Sequence, residues 1–247
     1  MEPLSKKKKN KLLYTTMLKY SIRKNFFIKN KNYNCLKIIN EENNFIIFDK
    51  IIKSSFYPIE KKGNINIISC IYNLIGEKIF YIKNCGIISR LDFETKGIFL
   101  ILKKKIKLEK IKKKYLAISK CCKKKCVFYT KGYIKKKKNR IIYTKKKTIY
   151  PVFTKFIIKT KKRGFNVIVC KFSRGKTHQI RSSLNYLSIR ILGDKKYGFF
   201  NKYYQESNLH SWNLNFYINN NNYNYYSFPN RNFIKYFFKI NFPKFKI

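Results

Sequence analysis

Ser89-Arg90-Leu91-Asp92-Phe93-Glu94-Thr95-Lys96-Gly97-Ile98-Phe99-Leu100-Ile101-Leu102 joins two kinds of sequence without a break. Its first half is polar: an Arg and an Asp flank one Leu, and Thr95 and Gly97 close a turn. Its second half is an unbroken apolar run bounded by Gly97 and a lysine cluster, the signature of a short strand buried on both faces. A carboxylate in a loop that feeds directly into a buried strand stands on a rigid mount, which suits a reactive group. Read alone, the same residues are also an ordinary charged turn before a strand.

Working outward, a structured region begins near Leu36. Phe45-Ile46-Ile47-Phe48 reads as a buried strand and Ile67 to Leu74 as a helix. Downstream, Tyr115-Leu116-Ala117-Ile118 and Phe165 to Phe172 read as strands, the latter alternating and rich in Val and Ile. Cys121 to Lys147 is a basic, weakly patterned excursion of hairpins and loops. Strands and helices follow one another in mixed order, which argues for an α+β fold over a regular βαβ alternation. Asn219-Asn220-Asn221-Asn222 reads as a low-complexity loop tip. There are no internal repeats.

A second polar segment, Arg174-Gly175-Lys176-Thr177-His178-Gln179-Ile180-Arg181, opens a predicted helix over Thr177 to Leu187. Ile180, Leu184 and Leu187 recur at helical spacing, and His178, Arg181 and Asn185 fall on the opposite face. Such a helix buries its aliphatic stripe and turns His178 and Arg181 elsewhere. Alone, the segment is equally a phosphate-binding turn at a helix start, and His178 a structural histidine.

Composition adds a charge of +47, from 58 Lys plus Arg against 11 Asp plus Glu in 247 residues. A polyanion is the natural partner of such a chain. Yet 50 of the 58 are lysine, and Asn, Ile, Phe and Tyr are also abundant while Ala, Gly and Pro are scarce. An AT-rich coding bias produces that pattern whatever the function. Residues that resist the bias are therefore informative: Arg90, Arg174, Arg181 and Arg190 are four of only eight arginines, and all lie in or beside the two polar segments. Seven cysteines at irregular spacing argue against a disulfide framework and fit a reducing compartment. Cys121-Cys122-x-x-x-Cys126 lacks a second ligand pair at zinc spacing, so no metal is expected. No apolar run reaches the roughly 18 residues of a membrane span. The basic amino-terminal segment is compatible with an organelle transit peptide.

Taken together, the two segments resemble the RluA-like pseudouridine synthase family. Its members carry His-Arg-Leu-Asp-x-x-Thr-Ser-Gly before a Leu-rich strand, then Gly-Arg-Thr-His-Gln-Ile-Arg, then Gly-Asp-x-x-Tyr-Gly. This chain has Ser-Arg-Leu-Asp-Phe-Glu-Thr-Lys-Gly from Ser89, Gly-Lys-Thr-His-Gln-Ile-Arg from Gly175, and Ile191-Leu192-Gly193-Asp194-Lys195-Lys196-Tyr197-Gly198. Tyr115-x-Ala117 resembles the family's Lys-x-Tyr-x-Ala strand, with Lys114 one residue closer to the tyrosine than the family lysine. Leu209-His210-Ser211 resembles a later Leu-His-Ala. Ile39 to Pro58 resembles the opening strand, with Lys50 in its lysine position. The resemblance spans about residues 39–216. Departures are Ser89 for His, Lys96 for Ser, Ile51-Ile52-Lys53 for Pro-Ala-Gly and Ser188-Ile189-Arg190 for Gly-His-Pro.

The resemblance implies a pseudouridine synthase fold, with a mixed, largely antiparallel central sheet, flanking helices and an active-site cleft. Residues 39–240 would form that catalytic domain, and 1–38 a basic extension. It implies isomerisation of uridine in RNA by a monomer that needs no cofactor and no metal. Asp92 would be the nucleophile, at sugar or base, Arg181 its charge partner, and Tyr115 the ring that stacks on uracil and assists proton transfer from C5. Arg90, Thr95, His178, Gln179 and Lys50 would contact substrate. Large-subunit ribosomal RNA is the expected substrate, transfer RNA the second choice, and the cytoplasm the expected setting. The opposing expectations are a catalytically impaired RNA-binding assembly factor of the same fold, and a general basic nucleic-acid protein.

Overall fold

The computed structural model describes residues 35–57, 66–120, 126–138, 140–162, 164–173, 175–198, 206–229 and 233. Most of the basic extension expected at 1–38, the pair Cys121-Cys122 and Arg174 lie outside the described residues. Ten strands and two α-helices are described. They are β1 (Leu36–Glu41), β2 (Phe45–Lys50), α1 (Ile67–Ile75), β3 (Lys96–Leu102), β4 (Glu109–Lys120), β5 (Val127–Lys137) and β6 (Arg140–Thr144), then β7 (Tyr150–Lys162), β8 (Phe165–Phe172), α2 (Gln179–Tyr186), β9 (Leu209–Ile218) and β10 (Asn221–Tyr226).

All ten strands form one sheet in the order β1-β2-β3-β9-β4-β8-β7-β5-β6, with β10 hairpinned onto β9. Every pairing is antiparallel except β3 with β9, where only Lys96–His210 and Gly97–Ser211 meet in parallel. That junction needs glycine. Gly97 has φ +111°, and a Cβ there would collide with the Ser211 carbonyl. A residue without a side chain is what lets two strands approach so closely.

The apolar run through β3 is continuous because both of its faces are buried. Phe99 and Ile101 join Phe48, Ile67, Ile68, Ile71, Ile180 and Leu184 beneath the helices. Ile98, Leu100 and Leu102 face the other way, onto Phe45, Ile47, Leu214 and Phe216. There the Phe45 and Phe216 rings meet edge to face at 5.3 Å. The helix expected at Ile67 starts on Asn66, whose side chain accepts the Ser69 N–H at 3.0 Å, an N-cap that satisfies one orphan donor.

The first strand begins at Leu36, where structure was expected to start. Two expectations change in detail. The helix of the second polar segment starts at Gln179, because His178 is left-handed at φ 53° and stands outside it. The asparagine run is a loop tip only at Asn219 and Asn220 (φ 48° and 65°); Asn221 and Asn222 already belong to β10. Two positive φ values in a row make a two-residue primed turn, whose twist matches its strands and which asparagine tolerates.

Cys35 and Cys70 pack sulfur to sulfur with their Cα atoms 7.4 Å apart. Disulfides usually hold Cα atoms within about 7 Å, so the contact is read as two packed cysteines, not a framework. Among the described residues no cluster of His, Cys, Asp or Glu could hold a metal, and no helix is long and apolar enough to cross a membrane.

Candidate active site

The loop before β3 is held from behind by a lysine. Lys50 is completely buried at the end of β2, and its Nζ donates to the carbonyls of Asp92, Phe93 and Thr95 at 2.9, 2.8 and 3.0 Å. Three acceptors match the three protons of an ammonium. Burial pushes the Lys50 pKa down to about 7, with the Asp92 charge pulling the other way. The Thr95 N–H closes the turn onto the Asp92 carbonyl at 3.0 Å, and the Ser54 N–H reaches the Phe93 carbonyl at 3.2 Å. Leu91 anchors the loop in the core. Lys50 was expected to touch substrate. It instead sits fully buried behind the loop and outside the cleft lining, its ammonium used up on backbone carbonyls.

Arg181, in the first turn of α2, joins two carboxylates. Its Nη1 donates to Asp92 Oδ2 at 2.8 Å. Its Nε and Nη2 donate to Asp194 Oδ2 and Oδ1, both at 2.7 Å. Asp194 is fully buried and also accepts the N–H groups of Lys196 and Tyr197 at 2.9 and 3.1 Å. Burial pushes the Asp194 pKa up, but the bonds and charge of Arg181 and the two backbone donors outweigh it, leaving the carboxyl below its ordinary value. Burial likewise opposes the Arg181 charge, and Asp194 and Asp92 more than restore it. Sequence alone assigns no role to Asp194 within Gly193-Asp194-Lys195-Lys196-Tyr197-Gly198. The signal was that motif itself, the third of the set.

His178 stands beside this pair, its Nε2 at 3.8 Å from Asp92 Oδ2. The Tyr197 hydroxyl accepts the Ile141 N–H at 2.8 Å and shares a hydrogen bond of 2.9 Å with His178 Nδ1. Burial lowers the His178 pKa, Asp92 partly opposing and Arg181 and Lys196 adding to the shift. The ring is therefore neutral at neutral pH, and its approach to Asp92 is not an ion pair.

On the facing wall Tyr115 is 7% exposed in β4, its ring 5.3 Å from that of Phe172. Burial raises the phenol's pKa; a hydrogen bond with Ser211 opposes this and the Asp92 charge reinforces it. The period-2 alternation of β4 puts Lys113, not Lys114, on the face of Tyr115. Lys113 is 8% exposed, and Lys114 turns to the other face, over the Trp212 ring at 5.9 Å. Lys113-Lys114-Tyr115-Leu116-Ala117 thus reads Lys-x-Tyr-x-Ala with no residue missing, which corrects the placement on Lys114.

Asp92, Tyr115, Arg181, His178, Arg90 and Thr95 all line one cleft of about 950 Å³, a size that admits a nucleotide-scale ligand. Arg90 is exposed at its mouth, 5.8 Å from the Tyr57 ring centre. Thr95 is buried at its edge. Gln179 also lines it, but its amide is committed elsewhere. The Nε2 donates to the Phe153 carbonyl and Thr154 Oγ1 at 3.1 and 2.8 Å, and the Oε1 accepts the Lys176 N–H at 3.0 Å. It lines the cleft while latching α2 to β7.

A family model described as RNA pseudouridylate synthase matches residues 51–186, which is 136 of the 247 residues. An uncharacterized RNA pseudouridine synthase of Mycoplasma genitalium is 26% identical over 204 residues, covering 73% of this chain and 63% of the relative. One from Bacillus subtilis, also uncharacterized, is 26% identical over 125 residues, covering 46% of this chain and 41% of the relative. The chain thus spans less than two thirds of the length of either relative. Two human structures share the fold. RNA pseudouridylate synthase domain containing 1 has a TM-score of 0.61 at 14% identity, over 82% of this chain and 86% of that one. Domain containing 4 has a TM-score of 0.62 at 15% identity, over 92% and 96%. Motifs, cleft and family match converge, and the chain belongs to the RNA pseudouridylate synthase family.

Proposed function

We propose that this chain isomerises uridine to pseudouridine in RNA, with Asp92 as the nucleophile. The observation that carries the reading is the single bond from Arg181 Nη1 to Asp92 Oδ2 inside the cleft. A carboxylate must be ionised to attack, and enclosure works against ionisation. A guanidinium that is itself locked by Asp194 supplies the missing positive charge without having to reorganise.

The target uridine leaves its stack and enters the cleft, at a cost of a few kcal/mol. The C1′–N1 bond breaks, the uracil turns, and a C1′–C5 bond forms. The C5 proton is lost and N1 ends protonated, so atoms balance without a cofactor. Asp92 takes part at C1′ or at the ring; both routes need the same anion in the same place. Tyr115 offers its ring as a stacking plane. Because burial keeps its phenol protonated, it serves the C5 proton as a relay and not as a phenolate base. Arg90 at the mouth is placed for a backbone phosphate, and His178 for orienting Asp92.

Large-subunit ribosomal RNA is the proposed substrate and transfer RNA the alternative, in the cytoplasm of a bacterium with an AT-rich genome. The altered turn after Lys50, Ile51-Ile52-Lys53, together with the biased composition, is what would favour an impaired assembly factor. Lys50 still makes all three loop contacts, so that turn offers no reason for lost activity. The test is to map pseudouridine in cellular RNA with and without this protein. A uridine that is modified only in its presence supports the proposal. Identical maps, with RNA still bound, favour the assembly factor.

A further inference from the structure

Among the described residues, Lys113 is a cation without a counter-charge on the inner wall of the cleft. It is 8% exposed and lines the cleft two residues from Tyr115 on the same face of β4. Two residues along a strand are about 7 Å, the scale of one nucleotide. Directly opposite it across the sheet stand Phe172 on β8 and Leu214 on β9, and neither carries charge. The other ionisable groups of the same cleft are Tyr57, Arg90, Asp92, Tyr115, Lys176, His178 and Arg181. Among the described residues none of them hydrogen-bonds or pairs with Lys113, and burial alone lowers its pKa, to about 8.

Buried charges are ordinarily paired, because desolvation is costly. Coding bias fills solvent-facing positions with lysine at little cost. It does not explain one at an inward position of a central strand, where an aliphatic residue packs better. An unpaired, desolvated ionisable group in a cleft is a mark of a ligand site. The Arg181 cluster cannot serve an anion, since its one positive charge is already shared by Asp92 and Asp194.

We propose that Lys113 is a phosphate subsite, binding the RNA backbone phosphate next to the uridine held between Tyr115 and Asp92. The assignment rests on the uridine reading above. A phosphate supplies the full negative charge that Lys113 lacks, which a uracil carbonyl does not. With the phosphate fixed about one nucleotide from Tyr115, the flipped base is drawn to Asp92 in one register.

The test uses the full chain carrying Asp92→Asn and measures binding of short oligo(U) RNA, with Lys113→Gln and Lys113→Arg added separately. The expected result is about tenfold weaker binding for Lys113→Gln, the size of one charge-assisted contact, with Lys113→Arg close to the parent. The slope of log affinity against log salt becomes shallower by about 0.7 in Lys113→Gln, one phosphate's worth on a single strand. From about pH 7 to about pH 9 the parent loses affinity as Lys113 deprotonates. Lys113→Arg loses less affinity over that range, and an equal loss in both would take the pH dependence away from Lys113. Equal affinity and equal salt slope for the parent and Lys113→Gln overturn the subsite. So does weaker binding with an unchanged salt slope, which would mean contact with a base carbonyl. Thermal melting of each variant separates these outcomes from misfolding. The isomerase reading fails separately, if the unsubstituted chain makes no pseudouridine while Lys113→Gln still weakens oligo(U) binding.

Discussion

The loop around Asp92 and the turn around Asp194 supply the same chemical group to the same guanidinium, in different surroundings. Asp194 has no exposed surface, and both its oxygens are bonded, four donors in all. The Asp92 side chain is 19% exposed and takes one bond from Arg181 through Oδ2. A carboxylate whose lone pairs are filled and whose surroundings are dry is a fixture. A carboxylate with an oxygen facing a cleft is available for reaction. The difference comes from backbone placement. Asp194 lies in a turn whose own N–H groups point at it, while the Asp92 loop aims its carbonyls backwards at Lys50 and its side chain forwards.

The sharpest way to break this comparison is to neutralise each carboxylate in turn. Asp92→Asn should lower the rate of pseudouridine formation by about 10⁴-fold, measured with RNA in excess, and change stability by less than about 1 kcal/mol. Asp194→Asn should do the reverse in emphasis. Removing one partner of a buried ion pair costs about 3–5 kcal/mol, read by chemical denaturation, and activity falls only as Arg181 loses its alignment. Acid sharpens the point. Because the folded Asp194 pKa lies below its ordinary value, its stabilisation is present above about pH 4 and is lost as pH falls through the folded pKa. Asp194→Asn should flatten that acid limb of the stability curve, and an unchanged limb would remove Asp194 from the structural role.

A smaller effect is expected behind the loop. Lys50→Met leaves three carbonyls without their donor, at about 1–3 kcal/mol. It also removes a pH dependence. The folded pKa of about 7 lies below the unfolded value of about 10.4. The unfolded chain therefore binds the extra proton between those values, and stability rises with pH across them. Denaturation from neutral to alkaline pH should show a rise in the parent that is clearly smaller in Lys50→Met, where only the contribution of buried Lys113, with its pKa of about 8, remains. The smallest effect lies farthest away. Asn220→Gly at the β9–β10 turn should stabilise by about 0.5 kcal/mol, since glycine accepts a positive φ more readily, with product formation unchanged.

The same contrast explains what could be read from sequence. Strand β3 and helix α1 were legible because burial on both faces, or at helical spacing, leaves few alternatives. Asp92, Arg181 and Tyr115 were legible through motif context. Strand β7 was not recognised, although Val152, Thr154, Phe156 and Ile158 alternate inward along it, because Pro151 and scattered lysines mask the period. In β9, Asn213 and Asn215 on the opposite face hid a strand whose other face is Leu214, Phe216 and Ile218. The work of Lys50, Gln179 and Asp194 was illegible for another reason. Each acts on a partner 13 to 45 residues away in sequence, and which partner it meets depends on sheet register that local pattern does not contain.

The central claim is that Asp92 reacts while Asp194 only holds Arg181. Its most direct test compares the unsubstituted chain with Asp92→Asn, at equal RNA occupancy and with melting curves matched, by counting pseudouridine at the modified position. The account predicts product from the first and none above background from the second. Equal product from both would contradict it.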